Sequence, residues 1–349
     1  MDRFDQIVVG GGLAGTVLVY QLTKAGQRVC WIKAGLERSS TMVAAGLINP
    51  LVFRYLTPVW KVQTLLPEAI NFYKKLEKEL GQQCLHEINI AKVFGDQDAA
   101  LWQRKMQLPE IAPWINGIGA VPDNEVLIQP HGVGFVNGYW LDTGVFLRGM
   151  EHYLSDKIVS FNERFELKRL NIEPDKVSYD KRCLADKLIF CEGWEAVKNS
   201  FFDFVPFRPV KGELLTLKID NLESKYLLNK EVFLLPLGEH LFRLGSTYDW
   251  DDLSINTTAQ AREYLLEKLA SFLPAKIEVI DHQAGVRPAV ADRRPVAGLH
   301  PEHPQLAIFN GLGARGVMIA PWLGQQLLEL LRYQKPLDEE VDLQRFVKR

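Results

Sequence analysis

The chain has 349 residues, 47% of them hydrophobic and 24% charged, and a formal net charge of −2. That is an ordinary globular composition at a length that suits two lobes, or one domain with a large insertion. It excludes recognition of nucleic acid through a global basic field, and no apolar run approaches the roughly 18 residues of a membrane span. The four cysteines, Cys30, Cys84, Cys183 and Cys191, form no Cys-x-x-Cys pair, and the first strand begins almost at Met1, with no room for a signal or transit peptide. Reduced cysteines and a cytoplasmic location are therefore expected.

Phe4-Asp5-Gln6-Ile7-Val8-Val9 runs into Gly10-Gly11-Gly12-Leu13-Ala14-Gly15 and then Thr16-Val17-Leu18-Val19-Tyr20-Gln21-Leu22. Ile7 to Val9 read as a buried strand, and Val17, Leu18 and Leu22 share one helical face. The glycines thus fall at a strand-to-helix turn, the context in which Gly-x-Gly-x-x-Gly binds a dinucleotide. Gly10 allows the tight turn, Gly12 lets a pyrophosphate approach the backbone, and Gly15 lets helix and strand pack closely. Gln27 to Lys33 gives the second strand. Where its end usually carries an Asp or Glu for the adenosine ribose, Lys33 stands. A basic residue there suits the 2′-phosphate of an NADP-type cofactor, and Glu37 is an alternative ribose partner.

No third parallel strand follows between residues 35 and 58. Ser39 to Pro50 is instead rich in small residues, suited to close passage under a bulky ligand or to an ordinary surface loop. The apolar spacing predicts a helix over Leu65 to Leu80, a strand over Leu85 to Val93 and a short helix near Asp98 to Met106. Ala120 to Val136, broken by Pro122, Pro130 and Gly132, reads as two antiparallel strands, and Asp142 as the cap of a helix reaching Leu154. Ile158 to Leu170 and Lys187 to Gly193 return to strand character. Val205 to Ile219 and Glu231 to Thr247 predict an antiparallel sheet in a second lobe. Thr257 or Thr258 opens a helix ended by Pro274. Finally, Leu306 to Gly311 is a strand that runs into Gly311-Leu312-Gly313-Ala314-Arg315-Gly316 and a helix from Val317 to Leu331. A second helix N-terminus aimed at the ligand would stabilise negative charge on a reduced ring system.

These segments together resemble the D-amino-acid oxidase superfamily of FAD-dependent oxidoreductases, which includes glycine and sarcosine oxidases. The resemblance is carried by VVGGGLAG at the start, the Ser39 to Pro50 loop, LIFCEG at 188 to 193, and GVRPAVADRRPVAG followed by FNGLGARGVMIAP. The GLGARG form is most similar to the flavin-dependent domain of the bifunctional enzyme that modifies the tRNA wobble uridine. The resemblance implies an α/β fold with an α+β second lobe: a Rossmann-like FAD-binding domain of discontinuous chain (1–80, 140–200 and 285–349) and a substrate-binding antiparallel β-sheet domain (81–139 and 201–284).

By the same resemblance FAD is bound non-covalently, with Gly10, Gly12, Leu13, Ala14 and Gly15 at the pyrophosphate and Lys33 at the adenosine side. Ser40, Ala44, Ala45 and Gly46 would pass by the flavin, Gly193 would lie beside the adenosine half, and Gly313, Ala314, Arg315, Gly316, Val317 and Met318 would line the pyrimidine ring. Arg287 falls on the position whose guanidinium pairs with a substrate carboxylate, a role that its planar fork suits. Phe233 stands where some amine oxidases carry a substrate-binding Tyr. A phenyl ring cannot donate a hydrogen bond, which leaves Tyr248 or Tyr139 as the candidate donor.

The implied chemistry is hydride transfer from an amine-bearing carbon to flavin, giving an imine that water hydrolyses, with Arg287, Tyr248 and Arg315 as the candidate catalytic set. His131, His240, His282 and His300 read as loop or core residues, and no metal is expected. The substrate expected is a small amine or amino acid. Carboxymethylaminomethyl-uridine in tRNA is the alternative, with Arg293, Arg294 and Arg315 as a local basic cluster. An NADP-dependent reductase, resting on Lys33, and a flavin-binding chain that lost its chemistry, resting on Phe233, also remain open.

Overall fold

A computed structural model of the chain describes residues 1–35, 39–122, 126–222 and 224–347. Its first element is a strand, Asp2–Val9, followed by a helix, Leu13–Lys24, and a parallel strand, Val29–Lys33. Parallel pairing continues on both sides, so that Leu306–Asn310, Cys183–Phe190, Asp2–Val9, Val29–Lys33 and Val159–Asn162 lie in that spatial order. Antiparallel strands on the Leu306–Asn310 and Cys183–Phe190 edge complete an eight-stranded sheet. The central strands are apolar at nearly every position because both faces are covered. On one face the helices Leu13–Lys24, Val62–Leu80 and Gly316–Tyr333 bury Val17, Leu18, Leu65, Ala69, Tyr73 and Leu327 in one core. On the other, Ile7, Val9, Cys30, Ile32, Leu188 and Phe190 form a second core. No helix among the described residues is long and apolar enough to cross a membrane.

The strand-to-helix turn depends on two glycines. Gly10 has φ +115°, and a Cβ there would lie 2.2 Å from the carbonyl oxygen of Cys191, at the tip of the neighbouring strand. A Cβ on Gly15 would lie 2.0 Å from the carbonyl oxygen of Gly10, so the helix can approach the strand only without one. Gly15→Ala should cost about 1–3 kcal/mol through overpacking and weaken flavin retention. Urea unfolding with bound-flavin absorbance as a second probe would check this; an unchanged midpoint would contradict it.

A second, nine-stranded sheet runs in the order Glu278–Arg287, Val210–Lys218, Leu241–Gly245, Phe233–Gly238, Tyr226–Asn229, Leu85–Val93, Val133–Leu141 and Leu47–Ile48, with Ile115–Gly119 also on Val133–Leu141. Antiparallel pairing was expected throughout, and one pairing departs from it: Tyr226–Asn229 runs parallel to Leu85–Val93. The chain leaves this sheet after Val133–Leu141 to build most of the first sheet, then returns, and the two halves of the second sheet meet in the same direction. Within Ala120 to Val136 only the later residues are strand, because the partner strand Ile115–Gly119 precedes the segment. Pro122 and Pro130 lack the N–H that a ladder needs. Ile158 to Leu170 is strand only over Val159–Asn162, with a three-residue piece at its end. Asp142 and Thr258 cap their helices as expected, accepting from Val145 N at 2.8 Å and Ala261 N at 3.1 Å.

Candidate active site

The carboxyl ends of the first sheet's parallel strands open into a cleft of about 1010 Å³, walled on its far side by the second sheet. Gly10, Gly11 and Gly12 form the floor at one end, where the Leu13–Lys24 helix starts. Gly12 sits at the N-cap and offers no side-chain cap, and Leu13 N donates to Thr41 Oγ1 at 3.0 Å. Ser39, whose Oγ accepts from Thr41 N at 3.2 Å, starts a one-turn helix, Ser40–Val43. Ala44, Ala45 and Gly46 continue that wall, and Gly313, Ala314, Gly316 and Val317 face the same space from the last helix.

The end made by the second sheet holds Arg287. Its Nη2 donates to Ser246 Oγ at 2.7 Å, and its Nη1 donates to the carbonyl oxygens of Lys211 and Thr247, both at 3.3 Å. The guanidinium carbon lies 4.4 Å over the Tyr248 ring. Among the described residues no carboxylate comes within ion-pair distance of Arg287. Burial lowers the pKa of this guanidinium, with Tyr248 opposing. Gly212 leaves room for it, since a Cβ there would lie 2.3 Å from Nη2.

Behind this end, Lys211 and Glu213 are 1% and 3% exposed. The Lys211 ammonium bonds the Asp252 carboxylate and lies 3.5 Å from Glu213 Oε1. Glu213 accepts from Thr258 N at 2.9 Å and Thr258 Oγ1 at 3.0 Å, and its Oε2 is 2.8 Å from His282 Nε2. These bonds pin the segment from Ser246 to Thr258, of which Ser246, Tyr248 and residues 253–256 line the cleft. Hydrogen bonding to Lys211 holds the Asp252 carboxyl down at about 2.

Most of the sequence-predicted residues come together here: Gly10, Gly12, Leu13, Ala14, Ser40, Ala44, Ala45, Gly46, Gly193, Tyr248, Arg287, Gly313, Ala314, Gly316 and Val317 all line the cleft. Gly15, Lys33, Arg315 and Met318 do not. Gly15 lies beneath Gly10 and supports the turn, and Met318 is 2% exposed in the helix core. Lys33 is 4% exposed, and its ammonium is bonded to Glu151 and lies 5.1 Å from the Trp31 ring centre. The cation on which an NADP-type phosphate site rested is therefore already engaged. Glu37 lies outside the described residues.

Arg315 stands beside the lining at the exposed mouth; desolvation lowers its pKa, as do Arg294 and Arg293, while Tyr248 raises it. Tyr139 pairs with Ile48 in the second sheet and does not reach the cleft, whereas Phe233 lines it. None of the histidines lines it. Sequence reasoning passed over Glu192, Asn199, Arg164 and Ser246, which do. Glu192 accepts from Asn199 Nδ2 at 2.8 Å. Burial pushes its carboxyl up to about 7, with Glu195 adding to the rise and Asn199 and Arg164 opposing it. Its signal was an acid at the end of the apolar run Leu188-Ile189-Phe190-Cys191.

An uncapped helix start floored by glycine, joined to walls of Ala and Gly, fits a pyrophosphate continuing into a flat ring system. The FAD dependent oxidoreductase family matches residues 5–330 of this chain. The chain belongs to that family. Its cofactor is accordingly FAD, which fits the glycine floor.

Among the relatives of this FAD-dependent oxidoreductase, glycine oxidase of Bacillus licheniformis is 22% identical, the match covering 94% of this chain and 93% of the relative. The tRNA 5-methylaminomethyl-2-thiouridine biosynthesis bifunctional protein MnmC of Leptospira borgpetersenii serovar Hardjo-bovis (strain JB197) is 24% identical over 96% of this chain. The chain spans only 58% of that relative's length. The fold matches the crystal structure of glycine oxidase from Geobacillus kaustophilus with a TM-score of 0.81, 18% identity, and coverage of 99% of this chain and 98% of that one. Iminodiacetate oxidase from Chelativorans sp. BNC1 matches with a TM-score of 0.78 and 20% identity over 96% of this chain and 98% of the other.

Proposed function

We propose that the chain oxidises the C–N bond of a small amine that carries a carboxylate, either an amino acid or an N-substituted one. The observation behind this reading is Arg287, a desolvated cation beside the cleft with no carboxylate partner among the described residues. FAD, when bound, supplies the hydride acceptor. Arg287 meets the substrate carboxylate through two parallel N–H···O bonds and so aims the reacting C–H bond. Ser246 and the Lys211 and Thr247 carbonyls fix the plane of the guanidinium. Phe233 gives an apolar wall and Tyr248 a hydroxyl in the cleft. The N-terminus of the Gly316–Tyr333 helix, present in the lining at Gly316 and Val317, favours negative charge facing it. An amine that binds neutral needs no base, and no histidine lines the site.

Anaerobic mixing with glycine, sarcosine and iminodiacetate, each beside a carboxylate-free analogue, tests the reading by flavin bleaching. At least one carboxylate-bearing amine should bleach the flavin at a rate its analogue does not approach. Bleaching by neither class would remove the reading.

A second reading, oxidation of a carboxymethylaminomethyl group on tRNA, draws on the cleft mouth. Tyr248 and Trp250 are 57% and 63% exposed and lie with ring centres 6.2 Å apart at 27°, beside Arg287 and near Arg315. Exposed rings beside cations stack bases and meet phosphates. Filter binding of tRNA with a salt titration decides this. Absence of salt-sensitive binding at low ionic strength would leave only the small-molecule reading.

A further inference from the structure

We propose that Glu192 anchors the adenosine half of FAD, in place of the acid that is absent from the end of the Val29–Lys33 strand. The proposal rests on FAD being the cofactor. At that strand end Lys33 faces away from the cleft to Glu151, so it supplies no acceptor. The two chain segments flanking the glycine turn supply one instead. The strand Val159–Asn162, paired to Val29–Lys33, turns into the cleft at Glu163, Arg164 and Phe165. On the other side, Cys183–Phe190 ends in Cys191 and Glu192. Arg164 Nη2 bonds Glu195 Oε1 at 2.8 Å and ties the two segments together. They wall the end of the cleft that belongs to the first sheet, next to Gly10 and Gly12, whereas Arg287 belongs to the second sheet. With the pyrophosphate over the glycines and the reacting ring toward Arg287, the nucleoside at this end is adenosine.

Glu192 is built to accept from it. Asn199 is 3% exposed, and its Oδ1 takes the Phe201 N–H at 3.1 Å, which turns Nδ2 toward Glu192 Oε2 at 2.8 Å. The other carboxyl oxygen, Oε1, has no partner among the described residues. Removal from water makes an ionised carboxyl here costly unless further donors arrive. The ribose hydroxyls and the adenine amine are such donors, and FMN has none of them.

The test is release of FAD from the purified holoenzyme after dilution, followed by flavin fluorescence, in wild type, Glu192→Gln, Glu192→Ala and Glu37→Gln. Loading with FMN and displacement of FAD by ADP run in parallel. FAD should leave about tenfold faster from both Glu192 variants and at the wild-type rate from Glu37→Gln. ADP should bind the Glu192 variants about tenfold more weakly, while FMN loading stays unchanged. Wild-type release from Glu192→Gln, or equal weakening of FAD and FMN, would overturn the proposal, and so would transfer of the whole effect to Glu37→Gln. Glu192→Gln keeps the shape of the side chain and decides the matter if the alanine variant fails to fold. A wild-type protein that cannot be loaded with FAD at all would overturn the cofactor assignment as well, a result distinct from the others.

Discussion

Arg287→Ala should lower kcat/KM for a carboxylate-bearing amine by roughly a thousandfold, about 4 kcal/mol, the usual scale for truncating one partner of a desolvated, hydrogen-bonded charge pair. Arg287→Lys should recover only part of this. An ammonium keeps the charge but cannot form two parallel bonds, nor hold Ser246 and the two carbonyls at once. Because the guanidinium also ties Ser246 to Lys211 and Thr247, a loss of activity alone would not separate substrate binding from local collapse. The separating measurement is the same pair of variants on an amine ester that lacks the carboxylate. Wild type and both variants should turn it over at similar low rates, with the bound-flavin spectrum unchanged. A thousandfold loss on the ester as well would mean that Arg287 holds the wall and does not meet the substrate.

The parts of this site that the sequence makes legible are those whose geometry is local. Gly10, Gly12 and Gly15 declare a strand, a tight turn and a helix within one stretch, and the Gly313 to Val317 turn does the same near the other end. Residue type at a motif position is equally legible, which is why Arg287 stands out in GVRP. Partners that arrive through the fold are not. Lys33 reads as a free cation at a ribose position until the helix Thr143–Leu154 delivers Glu151 to it. Tyr139 and Tyr248 are equivalent candidates in the sequence, and only strand pairing takes Tyr139 away from the cleft. Glu192 is hidden by its surroundings, an acid at the close of an apolar strand whose function depends on Asn199 and on a segment across the sheet. The parallel meeting of Tyr226–Asn229 with Leu85–Val93 is likewise set by the long path between them, which no local pattern records.

The second large effect is expected at Glu213, which does not face the cleft at all. Glu213→Leu should destabilise the protein by about 3–5 kcal/mol, because it strips a buried ammonium of one of its two carboxylates and removes the acceptor for the Thr258 N–H and hydroxyl. The cost should be partly undone in the double variant Lys211→Met with Glu213→Leu, in which no buried charge is left unpaired. Asp252, the other partner of Lys211, has its carboxyl held at about 2. A depressed carboxylate stabilises the folded state above its unfolded pKa, and the contribution is lost as pH falls toward 2, so the rescue should be the same at pH 6 and pH 8. Function should follow through the pinned segment from Ser246 to Thr258. With Tyr248 and residues 253–256 loosened at the cleft wall, KM should rise several-fold in Glu213→Leu while the flavin spectrum stays that of wild type. Urea unfolding of the four proteins in the cycle gives the coupling energy directly. If the two single losses simply add, Lys211 and Glu213 do not act as a pair, and the placement of the Tyr248 segment must rest on Asp252 and the helix cap alone.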